Sequence, residues 1–197
     1  MCHYSDVLGG GTALFAQALT SLSIAASIVF WVLIYRWQRI DLRPYAAPIT
    51  LWVVFGTLDI LITARGTLDD PMREGNPLAR GIFATFGFFG PAIASVLWIS
   101  LWSLLVLIIN KKLQAPVAGY LSLAVFYSLA VGHVFGFSSW FDPLCDISRA
   151  SWLLLPEWPL RFIGIVLLGC AFAGVHRAIA AIVSSWKGTG PVKGRSL

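Results

Sequence analysis

The chain has 197 residues, of which 58% are hydrophobic and 12% charged, with a mean hydropathy of +0.80. A soluble domain carries roughly 25% charge, so this composition excludes one and points to an integral membrane protein. The net charge of +5 is not a nucleic-acid signal, because the basic residues gather at the ends of apolar runs instead of forming a phosphate-binding face.

The first apolar run, residues 13–35, has no Lys or Arg before it and exceeds the roughly 7–15 residues of a signal-peptide core, so it reads as a retained span. Four more runs follow at 46–64, 88–110, 117–137 and 160–183. Each is near the length of about 20 residues needed to cross a hydrocarbon core of about 30 Å. None alternates with a period of two, and an open sheet edge would leave backbone unsatisfied in lipid. The expected fold is therefore all-α, a polytopic bundle of five transmembrane helices in a single domain over residues 1–183. The basic, Gly-rich residues 184–197 are expected to form a loose tail near anionic headgroups.

The flanking charges set an orientation. Arg36, Arg39, Arg43, Lys111, Lys112, Arg177, Lys187, Lys193 and Arg195 fall on one side, and Arg65, Arg73, Arg80, Arg149 and Arg161 on the other, where most of the acids also lie. The preference of Lys and Arg for the cytoplasm predicts an outside N-terminus and a cytoplasmic C-terminus.

Once the loop charges are assigned, Asp59 is the one acid left inside a span. An Asp at mid-helix costs about 2.5 to 3.5 kcal/mol on insertion scales, less near the surface. Asp59 lies about five residues from the outer end of its run, or roughly 8 Å deep. Thr63 is four residues on and shares its helix face, with Gly56 and Gly66 nearby to admit a neighbouring helix. Arg65 follows at the boundary.

A polar loop then leads to Glu74, Gly75, Asn76 and Pro77. Asn76 is suited to cap a helix and Pro77 to open it. A single helix over 77–110 would measure about 50 Å, and "GFFGP" at 87–91 should break it. The expectation is a short interfacial or re-entrant helix near 77–86, followed by the third span. In the fourth span, His133 reaches about the same depth as Asp59.

These residues support two readings. Asp59, Thr63, Glu74, Asn76 and His133 together make an outward-facing polar pocket, a ligand or ion site in which Asp59 and His133 are intramembrane ionisable groups. A divalent metal held by Asp59, Glu74 and His133, with Asp146 as a fourth ligand, fits the same residue types. Structurally, Asp59 pairs with Arg65 or Arg80, Asn76 is only a cap, and His133 bonds a carbonyl within the bundle.

The stretch Asp59-x-x-x-Thr63, a short polar loop, then Glu74-x-Asn76-Pro77-Leu78 resembles an uncharacterised family of small prokaryotic membrane proteins with a D-x3-T … E-x-N-P-L signature. The resemblance covers about residues 50–110. It implies that Asp59, Thr63, Glu74, Asn76 and Pro77 act as a unit, and carries no activity with it.

Elsewhere, the second outer loop holds Trp140, Trp152 and Trp158, which suit anchors at headgroup level or a docking surface. Cys2 and Cys145 fall on the same, oxidising outer side and are candidates for a disulfide, while Cys170 reads as a small apolar packing residue. His176 and Arg177 read as anchors at the inner end of the fifth span. No zinc-protease, nucleophile-elbow or phosphate-loop motif occurs.

Three functions follow from these features. The first is an accessory or structural subunit of a larger membrane assembly, contacting lipids and either a membrane-protein partner or further copies of itself. The second is binding or transport of a cation, proton or small solute through Asp59. The third is a metal-assisted hydrolase or transferase at the outer leaflet.

Overall fold

The computed structural model describes residues 11–67, 74, 76–138 and 158–188. Five helices are long and apolar enough to cross a membrane: α1 (Gly11–Trp37), α2 (Ala46–Gly66), a third formed by α3 (Pro77–Phe86) and α4 (Gly90–Lys112), α5 (Ala115–Ser138) and α6 (Trp158–Gly188). Among the described residues there is no strand, and the fold is an all-α bundle. Outward-facing Leu, Val, Ile and Phe side chains cover the helices, as an apolar solvent requires.

The segment after α2 follows its sequence. Asn76 is extended at the N-cap of α3, its side chain accepts from the Leu78 amide at 3.0 Å, and Pro77 takes the first helical position. Unlike the spans, α3 segregates its apolar side chains to one face, the pattern of a helix lying at an interface. It ends at Gly87, whose φ of +53° few side-chain-bearing residues adopt. A turn of 3-10 helix, Gly87–Phe89, leads into α4. At Gly90 a Cβ would stand 2.8 Å from Phe83 Cα, so the backbones of α3 and α4 approach where only glycine fits.

Interhelical contacts fix the register. Tyr35 donates to the Ser103 carbonyl at 2.7 Å and Trp31 to Ser100 Oγ at 3.3 Å, so α1 and α4 ascend together. Tyr45 and Trp52 of α2 both pack on Phe126, Tyr45 reaches Gly119, and Gly56 meets His133. Hence α2 and α5 are also parallel, an arrangement possible only because α3 and α4 intervene. Between these pairs lies the core of Ile24, Trp52, Ile99, Val106, Phe126 and Leu129. Helix α6 runs antiparallel to α5. At Gly169 a Cβ would meet the Ser128 side chain and would stand 2.7 Å from the Ala124 carbonyl oxygen, the close packing that small residues permit in lipid.

The far end of α6 differs from the sequence reading. Helix α6 continues to Gly188, five residues into the expected tail, because nothing in "SSW" breaks a helix. Ser184 and Ser185 bond back to the Ala181 and Ile182 carbonyls. At the basic end, Arg43 opens a 3-10 turn and is paired with Asp41 at 3.0 Å. Cys2, Cys145, Asp146, Trp140, Trp152 and the final residues 189–197 lie outside the described residues.

Candidate functional site

Asp59 sits two turns from the end of α2 and His133 about one turn from the end of α5, so their parallel register brings them level. His133 Nδ1 and Asp59 Oδ2 are 2.8 Å apart, with side chains only 13% and 16% exposed. A carboxylate only accepts, so Nδ1 must carry the bridging proton. This leaves Nε2 as the ring's free polar atom.

Two glycines make the pairing possible, and they are reciprocal. Gly56 of α2, three residues before Asp59, lies under the imidazole. A Cβ there would be 3.4 Å from His133 Cδ2. Gly136 of α5, three residues beyond His133, lies under the carboxylate. A Cβ there would be 2.5 Å from Asp59 Oδ2 and 2.7 Å from Oδ1 and Cγ. Each helix thus presents a bare backbone patch to the ionisable side chain of the other.

His133 also borders a small cavity among α1, α2, α4 and α5, whose lining includes Gly56, Thr57, Trp52, Ile28, Trp98 and Ile99. Its volume of about 20 Å³ compares with the 10–15 Å³ that one water needs. The buried Trp98 Nε1 has no hydrogen-bond partner among the described residues. Trp98 and His133 thus both line a cavity with room for one water.

Thr63 is buried one turn beyond Asp59, and its carbonyl accepts from the Thr67 hydroxyl at 2.7 Å. Glu74, Asn76 and Arg80 form a separate group. Glu74 Oε1 accepts from the Asn76 amide at 2.7 Å, while Arg80 donates through Nε and Nη2 to the Glu74 carbonyl at 2.9 and 2.7 Å. These bonds fasten the start of α3. The arginine partners expected for Asp59 are not the ones found among the described residues. Arg80 is occupied at Glu74, Arg65 Nε is buried without a partner, and the group facing Asp59 is the His133 imidazole.

Nor do the described residues gather three His, Cys, Asp or Glu side chains into a metal site. Asp59, Glu74 and His133 are therefore not brought together as ligands, and Asp146 lies outside the described residues. His176, read as a membrane anchor, instead bonds Tyr127 within the bundle at 2.9 Å.

Gly136 and Trp98 were missed from sequence. The first had a signal in "GHVFG", a G-x-x-x-G spacing that brackets the histidine and marks close helix approach. The second had none, because an indole in a greasy run looks like any other apolar residue. No family model, curated protein or solved structure matches the chain.

Proposed function

We propose that this membrane protein binds and passes protons through the Asp59–His133 pair, with the basic end of the bundle in the cytoplasm and the pair near the outer face. The observation that carries this reading is the 2.8 Å contact between two ionisable groups inside a bundle of membrane-length helices. With one proton shared, the pair is net negative. A second proton on Nε2 makes it neutral. The pair can hold one proton or two, and the size of the adjoining cavity favours a proton over larger cargo. At about 20 Å³ it accommodates one water and excludes a hydrated cation or an organic solute.

The test uses the full chain in lipid nanodiscs and in liposomes loaded with a pH-sensitive dye. Acidification should give infrared difference bands from a coupled carboxylate and imidazole, lost equally in Asp59→Asn, His133→Gln and the double variant. Proton flux in the liposomes should fall with them. Unchanged flux and unchanged bands in Asp59→Asn defeat the proposal. Because removing one member leaves the other buried and unpaired, each single substitution should cost about 1.5–3 kcal/mol of stability, and the double little more.

A second reading, an accessory subunit of a larger assembly, is supported by α6. Only 11% of its most apolar window is buried, which leaves most of one helix available to a partner. Mild extraction yielding only single chains counts against it.

A further inference from the structure

The α5–α6 seam carries a second polar pair, in the half of the bundle remote from Asp59. Tyr127 Oη and His176 Nδ1 are 2.9 Å apart, and both line an open groove of about 500 Å³ whose other walls include Phe172, Val175, Ile179 and Val183. That volume lies within the range of small-molecule sites, and apolar walls with a few convergent polar groups are their usual form.

Whichever atom donates in this pair, a donor is left over. If the tyrosine hydroxyl donates to Nδ1, the neutral ring carries its proton on Nε2. If Nδ1 donates, the hydroxyl proton is free, and a doubly protonated ring also keeps Nε2–H. No second hydrogen-bonding partner meets either group among the described residues. An unmet donor facing hydrocarbon is costly, so the groove calls for an occupant with an acceptor oxygen and an apolar body.

Depth selects among such molecules. Tyr127 is twelve residues into α5, and its side chain leans back toward the helix start by up to about one turn, which puts the pair roughly 13 Å inside that end. The edge of the hydrocarbon is marked lower down, by Lys111, Lys112 and the Arg177 guanidinium, which donates to the Pro116 carbonyl at 2.9 Å. Phospholipid ester carbonyls lie at that edge and do not reach the pair. A ring carbonyl dissolved in the membrane does. Tyr127 and Phe172 have ring centroids 5.8 Å apart, offering aromatic surface to a planar ring. We infer that the groove binds a membrane-soluble quinone, one ring carbonyl accepting from the Tyr127–His176 pair and the tail lying along α6.

The test uses the full chain in phospholipid nanodiscs with a decyl-substituted benzoquinone as probe. Saturable binding is expected, with the bound carbonyl stretch shifted down by hydrogen bonding. The combined Tyr127→Phe, His176→Leu variant should bind about tenfold more weakly and lose the shift. Each single variant retains one donor and should be affected less. To guard against a misfolded variant, a photoreactive quinone applied to the unaltered protein should label Tyr127 or residues 172–183. No saturable binding, binding unaffected by the double variant, or labelling elsewhere overturns the inference. A phospholipid ester carbonyl showing the shift in place of the quinone, or a second copy of the chain cross-linked across the groove, overturns it equally.

Discussion

Replacing Gly136 by Ala adds one methyl group where the Asp59 carboxylate already lies. The new Cβ would be 2.5–2.7 Å from three carboxyl atoms, well inside ordinary contact, and Asp59 cannot swing away freely because His133 holds it. Either the carboxylate gives way, losing a charge-assisted hydrogen bond of about 1.5–3 kcal/mol, or α2 and α5 move apart at an overpacking cost of about 1–3 kcal/mol. Against this, Ala is favoured over Gly within a helix by about 1 kcal/mol. The net expectation is a loss of about 0.5–2 kcal/mol together with loss of the paired infrared bands. Two further glycines calibrate the result. At Gly174 a Cβ meets nothing within 4 Å, so Gly174→Ala should be neutral or gain up to about 1 kcal/mol. At Gly169 the obstruction includes backbone of α5, which cannot yield. Gly169→Ala should therefore destabilise by about 3 kcal/mol while leaving the Asp59–His133 bands in place. Unfolding in bicelles, with infrared spectra of each variant, measures both quantities. If Gly136→Ala matches Gly174→Ala in stability and keeps the bands, the reciprocal-glycine account is wrong.

Asn76→Ala removes the side-chain cap of α3 and should cost about 1 kcal/mol, largely restored in Asn76→Asp. Faster amide exchange at Leu78 and the following residues would locate that loss in α3. Gly87→Ala places a side chain at φ +53° and should cost roughly 1–3 kcal/mol in the same unfolding assay, whereas a silent substitution would show that the α3–α4 turn is not held in that conformation. At the basic end, the side-chain and backbone hydrogen bonds from Arg43 hold the Asp41 carboxyl below the usual aspartate range. Ionised Asp41 therefore contributes to the folded loop above that range, and the contribution is lost as pH falls through its lowered midpoint. A carboxyl carbon titration should show that midpoint, and Arg43→Ala should return it toward the ordinary value.

The five spans were legible because lipid imposes length and apolarity on each crossing independently of its neighbours. The α3 break was legible because Asn76-Pro77 and "GFFGP" act through local backbone preferences. That Asp59 and His133 share a depth followed from counting residues along two runs. That they touch did not, since a hydropathy pattern does not say which faces of two helices meet. The side chains that decide it are Gly56 and Gly136, whose contribution is the absence of atoms. Arginine was the partner expected for Asp59 under the structural reading, because Arg65 and Arg80 are near it in sequence. The bundle instead recruits a residue 74 positions away, through a parallel pairing that only the three-dimensional register reveals.

That separation has a consequence for how the protein is made. At synthesis rates of about 5–20 residues per second, the 74 residues between the two partners take roughly 4–15 s to appear. The second helix must therefore wait in the bilayer with its acid unmatched until the fourth crossing is delivered beside it. A nascent chain arrested before residue 133 should present that carboxyl to the translocation machinery or to water, and the contact that ties α2 to α5 then forms late in insertion, with only α6 still to follow.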